Sequence, residues 1–286
     1  MAPTVTPTAD PAYSTLGNDS RLIFVHAHPD DEAVFTAGTS RYYADRGVRN
    51  ILVTCTNGRL GVDDQWLAGS DPAHHTDWVR EVRAGELVRA TKLVGIHRAI
   101  GLGYDDSGLT GWPQNSEPSS FVNADTDAVA TTLAAIMDEE RPAVAVTYDE
   151  RGYYGHPDHI KAHQVTMLAA ARSQTVERVY FPVTPASVLA AFVPAARERR
   201  VYLPLWVIDA GEGTPDELVD VTIDARDLAP VKQAAIAAHA SQVDNADLTT
   251  MAEDLFQMLF GREFYILGWS RSDIPSAPDD LFGGLA

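Results

Sequence analysis

The chain has 286 residues, 45% of them hydrophobic and 22% charged, a composition typical of a globular protein. Its formal net charge of -18 argues against nucleic acid and anionic membrane surfaces as partners, because the field of the protein would repel both. No apolar run approaches the ~20 residues of a membrane-spanning helix. A small neutral or polar molecule is the expected partner. The single cysteine, Cys55, cannot form an intramolecular disulfide, which favours a cytoplasmic location.

Residues 1–20 are rich in Pro, Thr, Ala and Ser and have neither a basic nor an apolar signal region. We expect them to form a flexible tail. Residues 21–286 are expected to form a single domain, in which residues 182–286 form a C-terminal cap on the sheet.

Apolar runs that end at turn signals predict strands at residues 21–25, 50–54, 97–102, 143–148 and 176–181. Helical patterns separate these strands, at residues 31–46, 78–93, 126–140 and 157–171, and residues 58–77 read as a loop. This alternation predicts an α/β fold with a Rossmann-like, mostly parallel sheet flanked by helices. Beyond residue 182 the alternation of strands and helices is less clear. Helices are predicted at 186–200, 227–239 and 252–260, and strands at 201–208 and 218–223 are expected to form an antiparallel pair or to extend the sheet.

Two of the predicted strands end in side chains that commonly bind metals. The first strand is followed by His26-Ala27-His28-Pro29-Asp30-Asp31-Glu32, and the fourth leads into Tyr153-Tyr154-Gly155-His156-Pro157-Asp158-His159. Because parallel strands end at one edge of a sheet, we expect the two segments to meet there. A polar loop that caps a helix is the alternative for the Asp pair alone, but the neighbouring imidazoles favour a functional site.

A histidine, a carboxylate and a second histidine with one open position are the ligand set of catalytic zinc. Fe²⁺ uses the same residue types, so the residues leave both metals open. Of two adjacent carboxylates, one can bind a metal while the other stays free as a base. His163 lies one helical turn beyond His159, where it could bind the metal, support a ligand or pack against the helix.

Other classes of protein fit the sequence less well. The first strand lacks the Gly-x-Gly-x-x-Gly of dinucleotide-binding proteins, and neither a Walker A motif nor the Gly-x-Ser-x-Gly of serine hydrolases is present. A non-catalytic sugar-binding accessory protein is the remaining alternative, although such a protein would be expected to have lost a metal ligand or the base.

Four segments resemble the LmbE-like (PIG-L) family of zinc-dependent N-acetylglucosamine deacetylases. They are His28-Pro29-Asp30-Asp31-Glu32, Thr147-Tyr148-Asp149, His156-Pro157-Asp158-His159 and Ala238-His239-Ala240-Ser241-Gln242. The likeness covers residues 21–265 and is greatest to the mycothiol branch, which contains a biosynthetic deacetylase and an S-conjugate amidase. It implies a hydrolase that removes an N-acetyl group from a small molecule containing N-acetylglucosamine, such as an N-acetylglucosaminyl-inositol or a natural-product glycoside. An amidase for mycothiol S-conjugates is the alternative.

The resemblance also implies roles for individual residues. It makes His28, Asp31 and His159 zinc ligands, Asp30 the general base, His156 an acid oriented by Asp158, Tyr154 a donor to the oxyanion, and Arg83 and Asp106 partners of sugar hydroxyls. Segments 58–77 and 111–120 depart from the family pattern, and so does the N-terminal extension. The first two are expected to line the substrate mouth.

Overall fold

A computed structural model describes residues 19–61, 76–203, 207, 211–273 and 275–285. The tail predicted over residues 1–20 lies outside the described residues except for its last two positions, and so does the loop predicted over 58–77 apart from its two ends. Within the described segments, no helix is long and apolar enough to cross a membrane.

Strands β1 to β7 are, in chain order, Arg21–His26, Arg49–Thr56, Ile96–Tyr104, Val144–Val146, Arg178–Val183, Val221–Asp224 and Arg262–Ser270. Helices α1 to α10 are Asp31–Phe35, Ala37–Ala44, Thr76–Leu93, Thr126–Glu140, Gly152–Gly155, Pro157–Arg172, Ala186–Glu198, Ala229–Ala238, Ala246–Thr250 and Glu253–Phe260. The strands of the described part form one sheet in the order β3-β2-β1-β4-β5-β7-β6. The first five run parallel and β7 pairs antiparallel with both of its neighbours, which confirms the mostly parallel, Rossmann-like α/β fold.

Strand β1 lies in the middle of the sheet, and its side chains are buried on both faces, as its continuous apolar sequence requires. Ile23 and Val25 belong to the hydrophobic core on one face, and Leu22 and Phe24 belong to the core on the other. Phe24 is in register with Leu52 of β2. Each fully buried side chain of this kind contributes about 1.5–3 kcal/mol, so β1 anchors the loop that follows it.

The single helix predicted over residues 31–46 is two helices, because the backbone breaks at Thr36. The Oγ1 atom of Thr36 lies 2.9 Å from His26 Nε2. Helix α2 starts directly after the break, where the amides of Gly38 and Thr39 donate to the carboxylate of Glu263 at 2.8 and 2.7 Å. A carboxylate is favourable at a helix N-terminus, and this one comes from the far end of the chain.

The C-terminal part contributes strands to the sheet as well as helices around it. The strand predicted at 218–223 is confirmed as β6, shifted towards its C-terminal end, whereas β7 was not predicted. The strand predicted at 201–208 is wrong where it can be compared: residues 201–203 have no regular structure and Val207 is helical, and the others lie outside the described residues. Helix α8 packs on α2 and α3, which brings its end close to the loop after β1.

The order of the sheet reverses at β1, which has β2 on one side and β4 on the other. The carboxyl ends of β1 and β4 therefore border a crevice where open α/β sheets bind their ligands. Helix α6 begins at this crevice, with Pro157 in its first turn and His156 as its N-cap residue.

Candidate active site

Three side chains predicted as metal ligands meet at the crevice. His28 Nδ1 lies 3.3 Å from His159 Nε2 and 3.4 Å from Asp31 Oδ2, and His159 Nε2 lies 3.5 Å from Asp31 Oδ1. Ligands bound tetrahedrally at zinc distances are about 3.4 Å apart. All three side chains are buried. The two imidazoles approach different oxygens of Asp31, and His156 also lies within ligand distance of His28 and His159, so a metal ion could be held in this cluster.

The hydrogen bonds of the two imidazoles show which nitrogens are free for a metal. His28 Nε2 lies 3.2 Å from Asp158 Oδ2, and His159 Nδ1 lies 3.2 Å from the carbonyl oxygen of Gly152. Both partners only accept, so these two nitrogens carry the protons. His28 Nδ1 and His159 Nε2 then face each other across 3.3 Å, an arrangement that either a proton or a metal ion between them stabilises.

Electrostatics at this point also favour a cation. Burial alone would lower the pKa of His28, but the carboxylates of Asp106, Asp158 and Asp31 outweigh it and raise that pKa well above its ordinary value. Burial lowers the pKa of His159 to about 3, with a further contribution from His28. The pKa of Asp31 lies well below its usual value in spite of burial, mainly because of His159 and His28. The carboxylate is thus available as an anionic ligand.

Tyr148 holds the Asp31 carboxylate in place. Asp31 Oδ2 accepts from the Tyr148 hydroxyl at 2.6 Å and from the His28 amide at 2.7 Å, which leaves Oδ1 as the oxygen facing His159. The Tyr148 oxygen in turn accepts from the Ala27 amide at 2.9 Å. No role for Tyr148 was predicted, because a tyrosine at the end of a buried strand is not by itself a sign of function.

Asp30 lies beside the three ligands in a strained backbone conformation, with φ 116° and ψ -25°. Its amide donates to Glu32 Oε2 at 3.0 Å, and its Oδ1 accepts from Arg83 Nη2 at 3.1 Å. Burial raises the pKa of Asp30 to about 7, although Arg83 lowers it in part. A carboxylate with that pKa suits general base catalysis at neutral pH.

Arg83 was predicted to bind sugar hydroxyls, and in the structure it binds protein groups. Its guanidinium donates to the carbonyl oxygens of Gly58, at 2.7 Å, and Pro29, and to the carboxylate of Asp30. A Cβ at Gly58 would lie 2.6 Å from Arg83 Nη1, so the close approach needs a glycine. Arg83 therefore ties the loops after β1 and β2 together. Its contact with a sugar stays a prediction.

A buried ion pair supports the same loop from the other side. His239 Nε2 lies 2.7 Å from Glu32 Oε1, while the second oxygen of Glu32 accepts the Asp30 amide. Burial would lower the pKa of His239, but Glu32 and Asp30 raise it above its ordinary value. The pair joins the end of α8 to the loop after β1. Both residues lie in segments that carry the family resemblance, but no role was predicted for either.

His156 packs against the ligand pair, with its ring centroid 4.5 Å from that of His28 and 5.1 Å from that of His159. Burial and these two imidazoles lower the pKa of His156 to about 3, so its ring is neutral at pH 7. Asp158 was expected to orient His156, and in the structure the contact between them is made by the Asp158 backbone and not by its carboxylate. The backbone amide of Asp158 donates to His156 Nδ1 at 3.2 Å, whereas the first turn of α6 directs the carboxylate to His28 and Ser107.

Asp106 lies at the rim of the cluster, with Oδ1 3.6 Å from His28 Nε2. That oxygen also accepts from the Gly108 amide at 2.8 Å, and Oδ2 accepts from the Leu60 amide at 3.4 Å. Burial would raise the pKa of Asp106, but the imidazole of His28 lowers it below its ordinary value. Like Arg83, Asp106 binds protein groups, and its contact with a sugar stays a prediction.

Tyr154 lies next to the cluster, with its ring centroid 5.0 Å from His159 and 6.0 Å from His156. His163, in contrast, is turned away from the ligands. Its Nδ1 donates to the carbonyl oxygen of Tyr148 at 2.9 Å. Of the three alternatives for His163, this hydrogen bond to Tyr148, the residue that holds Asp31, favours support of a ligand over metal binding.

The α/β sheet and the buried cluster of histidines and aspartates at its edge define a protein that can bind a metal ion at the end of parallel strands. The chain belongs to the PIG-L family, whose model, described as GlcNAc-PI de-N-acetylase, matches residues 23–170. These residues extend from β1 into α6 and include the three predicted ligands and Asp30.

A relative from Salinispora arenicola, a 1D-myo-inositol 2-acetamido-2-deoxy-alpha-D-glucopyranoside deacetylase, is 39% identical over 93% of this chain and 92% of its own. Two solved structures share the fold. N,N'-diacetylchitobiose deacetylase from Pyrococcus horikoshii has a TM-score of 0.56 at 18% identity, over 87% of this chain and 83% of its own. A 4-carboxy-2-hydroxymuconate hydratase from Pseudomonas putida also has a TM-score of 0.56. It is 16% identical, over 90% of this chain and 100% of its own. The fold therefore does not fix the chemistry, whereas the family and its relatives identify an N-deacetylase.

Proposed function

We propose that this protein is a zinc-dependent hydrolase that removes the N-acetyl group from a small molecule containing N-acetylglucosamine. The observation that carries the proposal is the pair of imidazole lone pairs, on His28 and His159, that converge beside Asp31 with a separate carboxylate, Asp30, next to them. An N-acetylglucosaminyl-inositol is the first substrate to test, because a relative that matches nearly the whole chain is named for it.

His28, Asp31 and His159 would hold the zinc ion, and Fe²⁺ could use the same ligands. A bound zinc ion supplies a Lewis acid for the amide carbonyl and lowers the pKa of bound water to about 7. The protein contributes the orientation of these ligands: Asp158 fixes the ring of His28, the Gly152 carbonyl fixes that of His159, and Tyr148 fixes Asp31.

Asp30 accepts a proton from the attacking water, since it is held by Arg83 and its pKa of about 7 lets it both take up and release a proton. Tyr154 donates to the oxyanion that forms on the acetamide carbonyl. The departing amine needs a proton. His156 starts the cycle neutral, so the proton taken up by Asp30 is the one that reaches the amine, directly or through the His156 ring.

The test combines elemental analysis of the purified protein with an assay of amine release. We expect about one zinc per chain, and release of a free amine from N-acetylglucosaminyl-inositol that stops when a chelator removes the metal. The panel should include other N-acetylglucosaminides and a mycothiol S-conjugate. Metal without release from any N-acetylglucosaminide would overturn the substrate class, and neither metal nor release would indicate a sugar-binding accessory protein.

A further inference from the structure

Ser107 is fully buried in the loop after β3 and makes two hydrogen bonds to one carboxylate. Its amide donates to Asp158 Oδ2 at 2.9 Å, and its hydroxyl donates to Asp158 Oδ1. The hydroxyl oxygen also accepts from the Val122 amide at 3.1 Å. Because that amide occupies a lone pair of Ser107 Oγ, the hydroxyl proton is left to point at Asp158. The serine therefore holds both oxygens of the aspartate in one orientation.

The same carboxylate accepts from a predicted metal ligand, since Asp158 Oδ2 lies 3.2 Å from His28 Nε2. A carboxylate on the far nitrogen of a ligating imidazole fixes its tautomer and makes it a stronger ligand. Rotation of Asp158 would remove the nearer of the two carboxylates at Nε2 and leave only Asp106 Oδ1, which is 3.6 Å away. Ser107 thus acts on the lone pair of His28 Nδ1 through a single intervening residue.

The chain of contacts continues outwards to the segment over residues 111–120, which departs from the family pattern. Asn115 Nδ2 donates to the carbonyl oxygen of Ser107 at 2.6 Å, and Asn115 Oδ1 accepts from the Gly111 amide at 2.9 Å. Three successive hydrogen-bonded contacts therefore connect the expected substrate mouth to His28: Asn115 to Ser107, Ser107 to Asp158, and Asp158 to His28.

We propose that Ser107 is a positioning residue that holds Asp158 against His28, and that it links the affinity of the metal centre to the loop over residues 107–120. The inference rests on the proposed function, because it requires that His28 bind a metal. It assigns Ser107 no contact with substrate.

The experiment measures zinc affinity by competition with a chromophoric chelator. Ser107→Ala should weaken zinc binding about 10-fold, the lower end of what loss of such outer partners costs. Asn115→Ala should cause a smaller loss. The matched control is Ser173→Ala, because Ser173 is also buried and its hydroxyl donates to a carboxylate, that of Asp138, at 2.8 Å. It lies far from the site and should leave zinc affinity unchanged.

A second readout separates positioning from a general loss of stability. With Co²⁺ in place of zinc, the visible absorption bands should shift in Ser107→Ala and not in Ser173→Ala, because these bands report the geometry of the ligands. Equal affinities and spectra in the Ser107, Asn115 and Ser173 variants would overturn the inference. If Ser107→Ala does not fold, Asn115→Ala against Ser173→Ala decides. A wild-type protein that binds no metal would instead overturn the proposed function.

Discussion

Two of the places where the described residues bury charged side chains differ in how completely their charges are matched. Beneath α2, Glu263 accepts from Lys232 Nζ at 2.6 Å, from the amides of Gly38 and Thr39, and from the Tyr265 hydroxyl at 3.2 Å. Each oxygen of this carboxylate has two donors, and the ammonium has a carboxylate partner. The cluster is complete within the protein, and its role is to join β7, α8 and α2.

The cluster at the edge of the parallel strands is not complete in this sense. His28 and His159 direct lone pairs at each other, and Asp31 keeps one oxygen turned towards them while its other oxygen has two donors. Burial of charge is common to both clusters and does not distinguish them. What distinguishes this cluster is that two imidazole nitrogens and a carboxylate converge on one point, with no donor from the other described residues between them.

The largest expected effects come from removing a ligand or the base. His159→Ala should abolish stoichiometric zinc binding and reduce kcat/KM by at least about 10³-fold, because both the cation and its ligand geometry are lost. Asp30→Ala should keep zinc and reduce kcat by about 10²- to 10⁴-fold, as expected for loss of a general base. Elemental analysis and amine release on the same samples separate the two.

Wild-type protein passed through chelator and reloaded with zinc is the control for both variants. If Asp30→Ala loses metal as fully as His159→Ala, Asp30 is a ligand and the division of roles between the adjacent carboxylates is wrong.

The next effect is on stability and belongs to the complete cluster. Lys232→Met leaves the Glu263 carboxylate buried without its cation and should lower the free energy of unfolding by about 3–5 kcal/mol. Denaturant titration measures this loss. Zinc content and kcat/KM of the folded variant should stay close to those of wild type, because the Lys232 pair belongs to the cluster beneath α2.

The double variant Lys232→Met with Glu263→Gln is the matched control, since it removes both charges and should recover part of the loss. If Lys232→Met folds but loses as much zinc as His159→Ala, the two clusters are not independent and the distinction between them is wrong.

The parallel half of the fold could be predicted because its strands are short apolar runs separated by helices of regular period. Strand β7 was missed although its run Phe264-Tyr265-Ile266-Leu267 is typical of a strand; what its sequence does not indicate is the burial of Glu263. Its burial depends on Lys232 and on the start of α2, and Gly38 lies 225 residues away in the chain. Long-range pairing of this kind leaves no periodic pattern to read.

In the site, the residue types were predictable and their partners were not. The paired histidine segments indicated the ligands, and the structure brings His28, Asp31 and His159 together. The family resemblance implied that Asp158 orients His156; its backbone amide contacts His156, but its carboxylate reaches His28, 130 residues away. Support by Ser107 likewise depends on how the loops after β3 and β4 meet.

The last expected effect is a pH dependence of stability in chelator-treated protein, which tests the ionisation of Asp30 directly. Burial raises the pKa of Asp30 from 3.8 to about 7, so between these values the folded chain keeps a proton that the unfolded chain releases. The contribution of Asp30 to stability is fully present below 3.8 and is lost as the pH rises through about 7, with a slope of at most about 1.4 kcal/mol per pH unit. Asp30→Asn cannot release this proton and should lack that slope. All other titrating groups are common to both proteins, so they cancel in the difference between the two unfolding free energies. Parallel curves of unfolding free energy from pH 4 to 8 would show that Asp30 ionises normally, and a carboxylate of ordinary pKa would be a much weaker base for the proposed reaction.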